Sequence, residues 1–301
     1  MARSKRSQLT TSNDVAHRRR EPRGAGRALV QNLTTRILTA TTLGGGVVCG
    51  TLYLPFAVMS ALFALILMGA AFEWSQLVGL VSRGGRLAYA VVSAAVAFAS
   101  GLALHGHLAA LNLVLTVACA WWCVALCWVV HYQLREGPRP RGRLLLMGCG
   151  WLVLIPALAA ILELLQGRPE LLLALFALVW GADTFAYFGG KTFGRRRLAS
   201  RVSPGKTWEG LLAALVGTLA LATVGARLLE PTPLAHVLAL AAVTLLAAVV
   251  GDLLESLLKR LRGVKDSGTL LPGHGGLLDR IDSLLAAAPV FTFGLILMER
   301  P

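Results

Sequence analysis

Long apolar runs separated by short polar stretches organise this chain. Nine of them come near or above the ~18 residues that cross a bilayer as a helix. They lie at 37–54, 56–72, 87–104, 111–131, 144–165, 171–188, 211–229, 234–258 and 284–298. The runs are continuous rather than alternating, which predicts helices and argues against a closed β-barrel. Only Leu54-Pro55 separates the first two, so a helical hairpin is expected there. The pattern predicts an all-α polytopic membrane protein of about nine transmembrane helices.

Composition agrees. Of 301 residues, 56% are hydrophobic and 15% charged, against about 25% charged in a soluble domain. The mean hydropathy is +0.68, which excludes a disordered chain and most soluble folds. The net charge of +14 divides unevenly: residues 1–36 hold nine Lys/Arg against Asp14 and Glu21. Residues 1–35 therefore read as a basic, disordered cytoplasmic tail, and 36–301 as the transmembrane domain. A basic tail beside an apolar run sets topology or touches anionic lipid. No recognition fold follows it, so no nucleic-acid partner is expected. With the N-terminus cytoplasmic, 26 of the 29 Lys/Arg face the cytoplasm, leaving Arg168, Arg227 and Arg300 outside. The tail does not resemble a cleavable signal. All five cysteines sit in apolar runs, and the Cys119, Cys123, Cys127 stripe reads as packing rather than a metal site.

The loops at 189–210 and 259–283 are rich in Gly and charge, and function is expected there. Carboxylates stand at the ends of the adjoining spans: Asp183, Asp252 and Asp279. An intramembrane carboxylate is costly and marks function by default. On a helix, Asp252, Glu255, Ser256 and Lys259 fall within roughly 100° of one another. Glu255 and Lys259 are explained as an i,i+4 pair, which leaves Asp252 without a local partner. Three aspartates near one membrane face suit Mg²⁺, which prefers oxygen ligands and takes others from substrate phosphates. Lys191, Arg195, Arg196, Arg197, Lys206, Lys259, Arg260, Lys265 and Arg280 surround them, as a nucleoside triphosphate would need. Arg195–Arg197 read equally well as a positive-inside anchor. Ser203-Pro204-Gly205-Lys206-Thr207 is not a P-loop, because Ser200 stands where the first Gly belongs. Its Gly and Pro predict a turn that leads into the next span and presents backbone N–H groups and Lys206 to an anion. Gly273-His274-Gly275-Gly276 permits close backbone approach to a ligand. Acid, phosphate donor and loop anchor are all open as roles for His274.

These residues resemble the CDP-diacylglycerol synthases, or phosphatidate cytidylyltransferases. The family signature runs unbroken from Ser256 to Asp282, through Lys259, Arg260, Lys265, Asp266, Gly268, Leu271, Pro272, His274, Gly275, Gly276, Asp279 and Arg280. Ala182-Asp183-Thr184 with Tyr187, and Ser203-Pro204 with Lys206-Thr207 and Glu209-Gly210, look like the family too. Gly205 departs from it, where a second Lys is frequent. The resemblance covers roughly 36–298 and implies transfer of the cytidylyl group of CTP to phosphatidate, giving CDP-diacylglycerol and pyrophosphate. It implies an active site at about 180–283, on the cytoplasmic side of a bacterial-type cell membrane. By the same resemblance Asp252, Asp279, Lys259 and His274 are catalytic. Ser203, Lys206, Thr207, Glu209, Ser256, Arg260, Lys265, Asp266, Gly275, Gly276 and Arg280 contact substrate. Asp183, Asp252 and Asp279 hold Mg²⁺, with a second, monovalent cation compatible. CTP, phosphatidate and membrane lipids are the expected partners, and a homodimer is compatible. A CTP-dependent kinase of polyisoprenoid or phytol alcohols is the alternative enzyme, distinguished by the absence of pyrophosphate release. An anion or lipid transporter is disfavoured by the absence of internal repeats.

Overall fold

The computed structural model describes residues 44–135, 142–226, 232–268, 270 and 275–298. His274, the basic tail and the start of the first predicted span fall outside these residues. Val48–Pro301 form one compact unit; of the other, Met1–Val47, residues 44–47 are described and are helical. Helix persists to Tyr53 and stops at Leu54-Pro55, where the sequence places the break.

Eight long helices follow among the described residues: α1 Phe56–Leu77, α2 Arg83–Leu104, α3 Leu108–Leu134, α4 Arg143–Gly167, α5 Pro169–Phe193, α6 Trp208–Ala226, α7 Leu234–Arg262 and α8 Leu278–Met298. All are long and apolar enough to span a bilayer. They match the last eight predicted spans, though most run further at one or both ends. Of the most apolar window in each helix, between 22% and 56% is buried inside the protein. The remainder is lined by residues such as Leu65, Leu113, Val124, Leu212 and Val216. Such faces are stable only in hydrocarbon. This is an integral membrane protein.

Polar side chains stitch helices together where apolar packing alone gives little directional preference. Trp74 Nε1 and Tyr89 Oη donate to the carbonyls of Leu146 and Met147 at 3.0 and 2.9 Å, joining α1 and α2 to the start of α4. At the other end of the same helices, His105 Nδ1 lies 3.0 Å from Glu163 Oε2. Pro156 and Pro289 sit inside α4 and α8, a placement membrane helices tolerate.

Between α5 and α6 the structure departs from the expected turn. An antiparallel hairpin forms there, β1 Arg197–Ala199 and β2 Ser203–Thr207, with Arg197 opposite Thr207 and Ala199 opposite Ser203. Strands this short carry too little period-2 pattern to be read from sequence. Small residues let α5 and α6 approach closely. A Cβ on Gly189 would strike Ala213, and one on Gly217 would strike the Phe185 ring. Gly217→Val should therefore cost about 1–3 kcal/mol by overpacking and lower the unfolding temperature in detergent. Gly225→Val, with nothing within 4 Å of the added Cβ, is the control; equal effects at both sites would refute this packing account.

Candidate active site

The site is built on the last turns of α7. Asp252, Glu255, Ser256 and Lys259 share one face, as their spacing predicts. Ser256 Oγ donates to Asp252 Oδ1 at 3.3 Å, and Lys259 Nζ donates to Glu255 Oε2 at 2.8 Å. Gly251 permits a close approach here, because a Cβ would collide with the Asp282 carbonyl of α8. Gly263, in the left-handed region at φ 72°, ends α7 as its N–H bonds to Arg260 O and the next N–H to Lys259 O.

Asp252, without a partner on its own helix beyond Ser256, finds one in the hairpin. Lys206 Nζ stands 2.7 Å from Asp252 Oδ2. The hairpin is held on two sides. Gln133 of α3 donates to Ser200 Oγ at 3.0 Å and accepts from Arg201 N at 3.0 Å, while Arg260 Nε donates to Val202 O at 3.1 Å. Arg197 also donates through Nη1 to Pro204 O across the hairpin. Asp183 of α5 and Asp282 of α8 both interact electrostatically with Asp252 and Lys206. Carboxyl groups from three helices thus lie within electrostatic reach of one lysine, which pairs with Asp252. Like charges at such a place repel unless a cation joins them.

Asp279 is held differently. Lys259 Nζ lies 2.6 Å from Asp279 Oδ1, and the N–H groups of Ser267 and Gly276 donate to Oδ2 at 3.1 and 2.9 Å. Lys259 therefore bridges Glu255 and Asp279 in a site where it is 12% exposed and Glu255 3%. No three acidic, His or Cys side chains among the described residues close around one point as a metal cage. Asp183, Asp252 and Asp282 offer hard oxygen donors, the type Mg²⁺ takes when phosphates complete its shell.

Other expected site residues turn out to have local employment. Thr207 Oγ1 accepts from Gly210 N at 3.1 Å, which caps the start of α6. Glu209 accepts from the N–H groups of Arg195 and Arg196 at 3.0 and 3.1 Å and so fixes the hairpin's entry. Ser203 belongs to β2; Lys265 and Asp266 are exposed in the loop after α7, and Arg280 is exposed on the first turn of α8. Gly275 adopts φ 85°, a conformation that favours glycine. The close approach expected at Gly276 is to the protein itself: an added Cβ would meet Ser267 Oγ, Glu73 Oε2 and Asp279 Oδ2. Arg195 and Arg196, but not Arg197, line a cavity of about 500 Å³ with Thr192, Phe193 and Glu209. The carboxyl cluster does not border it.

Comparison with known proteins shows the family. The cytidylyltransferase family model matches residues 34–298. The chain belongs to the cytidylyltransferase family. A phosphatidate cytidylyltransferase of Pseudomonas aeruginosa is 43% identical over 264 residues, covering 86% of this chain and 95% of the relative. One from Haemophilus influenzae is 37% identical over 285 residues, 87% of this chain and 98% of the relative. The chloroplastic phosphatidate cytidylyltransferase 4 of Arabidopsis thaliana is 50% identical over 111 residues, 36% of this chain and 28% of its own.

Three residues of this cytidylyltransferase escaped the sequence reading. Asp282 closes the signature but had no role until α7 and α8 met. Gln133 gave no signal, as one amide at the end of an apolar run. Glu73 did give one: it lies one residue beyond the 56–72 run, inside the helix that the structure extends to Leu77.

Proposed function

We propose that this chain transfers the cytidylyl group of CTP to phosphatidate, forming CDP-diacylglycerol and releasing pyrophosphate. The observation that carries this reading is the Lys206–Asp252 ion pair, with Asp183 and Asp282 in electrostatic reach of it, together with the Lys259–Asp279 pair. Separate segments of the chain supply cations and carboxylates at one place, as two polyanionic substrates require. The near-full-length relatives support the same activity.

In this reaction an oxygen of the lipid phosphate forms a bond to the α-phosphorus of CTP. The bond from that phosphorus to the β-phosphate bridging oxygen breaks, and its electrons leave with pyrophosphate. A phosphate monoester is already largely ionised near neutral pH, so positioning and charge compensation dominate over base catalysis. Lys206, on a hairpin tied to α3 and α7, is placed to meet phosphate oxygens. Lys259 keeps Asp279 and Glu255 at fixed separation. Asp252, Asp183 and Asp282 would hold Mg²⁺, with Asp279 engaged by Lys259 and two backbone N–H groups; when bound, the ion would screen the triphosphate and stabilise the leaving pyrophosphate.

The site belongs on the cytoplasmic side in this proposal. The distribution of Lys and Arg supports it, since the segments around α5–α6 and α7–α8 are basic. There the acyl chains stay in lipid while CTP arrives from water. Purified protein in detergent, given phosphatidate, labelled CTP and Mg²⁺, is expected to form a labelled CDP-lipid with one pyrophosphate per product. Release of CDP with a phosphorylated lipid alcohol instead would show the kinase reading to be correct.

A further inference from the structure

We propose that Glu73 of α1 is a positioning residue that clamps both ends of the loop between α7 and α8, and through it sets Asp279. Glu73 is 1% exposed, and a carboxyl group buried inside the protein is costly unless it is hydrogen-bonded. Its Oε2 accepts two hydrogen bonds, from Ser267 Oγ at 3.1 Å and from Leu278 N at 2.8 Å. Ser267 lies near the start of the loop, and Leu278 opens α8. One oxygen therefore ties together two points that the chain separates by eleven residues. A carboxylate at that N–H also complements the positive end of α8.

The loop's glycines are fitted to this carboxyl group. A Cβ on Gly268 would meet only Glu73 as its three nearest atoms, with Cδ at 2.6 Å and Cγ at 2.7 Å. A Cβ on Gly276 would lie 2.6 Å from Glu73 Oε2. Gly268 needs glycine because Glu73 fills the space, and Gly276 because Ser267 Oγ and Glu73 together fill it. The same two loop ends that Glu73 gathers then turn their backbone N–H groups, Ser267 and Gly276, onto Asp279 Oδ2. Glu73 thus reaches Asp279 through the backbone, although it lies about two hundred residues earlier in the chain.

Hydrogen exchange of the full-length protein in detergent, without substrate, tests the clamp. In Glu73→Ala, peptides covering 264–282 should exchange about tenfold faster or more, the effect of losing a hydrogen bond to a charged group. Those of α5 and α6 should be unchanged. Glu73→Gln, which keeps an acceptor oxygen, should recover most of the protection. Gly268→Ala, which pushes on the carboxyl group without leaving a cavity, should loosen the same peptides in the wild-type background and add little to Glu73→Ala. Unchanged exchange at 264–282, or an equal rise in every helix, overturns the clamp. So does a Gly268→Ala protein that behaves as wild type.

The consequence for catalysis rests on the cytidylyltransferase reading. Glu73→Ala should raise the CTP and Mg²⁺ concentrations needed for half-maximal rate several-fold and leave the phosphatidate KM unchanged. An exchange effect with no CTP turnover even in the wild type would sink the functional reading and spare the clamp. Wild-type turnover with no exchange effect would do the reverse.

Discussion

Asp252→Asn is expected to lower CTP turnover by at least about a hundredfold, the scale of removing one key electrostatic contact, in a protein that still inserts and folds. The two halves of this expectation have different origins. Catalysis suffers because Asp252 joins the hairpin to α7, through Lys206 at 2.7 Å and Ser256 at 3.3 Å. It is also the carboxyl group on which Asp183 and Asp282 converge. Stability is spared because asparagine is isosteric, can still accept from Ser256, and relieves repulsion among three acidic groups. Turnover would be followed as pyrophosphate release, and folding as the detergent unfolding midpoint. Near-normal turnover would remove Asp252 from the site. Asp279→Asn should also abolish turnover, but with a loss of order, since it weakens the contact to Lys259 and disturbs two backbone N–H groups.

Lys259→Met should instead show itself first in stability. Lys259 is 12% exposed and lies 2.8 Å from Glu255 and 2.6 Å from Asp279. Removing one partner of a buried ion pair costs about 3–5 kcal/mol, because an uncompensated charge remains. Here two carboxyl groups lose the same cation, and one of them is packed between α7 and α8 at 3% exposure. A clear fall in the unfolding midpoint is expected, together with loss of turnover. Adding Glu255→Gln to Lys259→Met should restore part of the stability but not the turnover. An unchanged midpoint in Lys259→Met would show that these carboxyl groups do not depend on the lysine's charge and would overturn this account.

The two variants illustrate how far residue spacing carries. The face of α7 was legible because a helix repeats every 3.6 residues, so Asp252, Glu255, Ser256 and Lys259 could be placed together without a structure. The Glu255–Lys259 bond is the i,i+4 pair so predicted. Lys206 was identifiable as a candidate cation, but not as the partner of Asp252. That pairing needs a hairpin whose strands are three and five residues long, anchored by Gln133 from α3. Thr207 and Glu209 looked like substrate contacts from the motif alone. Their bonds to Gly210 and to the Arg195 and Arg196 backbone emerge only once the hairpin exists.

By itself the sequence determined the membrane class, eight of the described helices, the break at Leu54-Pro55 and the segment that bears the chemistry. Each follows from local physics: the length of an apolar run against bilayer thickness, the proline ring, the helical repeat. Tertiary structure alone decided that Asp252 meets Lys206, that Asp183 and Asp282 both come within electrostatic reach of that pair, and that Glu73 closes the loop on Asp279. The Lys206–Asp252 and Glu73–Leu278 contacts join residues 46 and 205 positions apart. Their partners are chosen by how helices and loops pack, and here the close approaches depend on single glycines such as Gly251, Gly268 and Gly276. An absent side chain leaves no periodic mark in a sequence, yet it decides which backbones can touch.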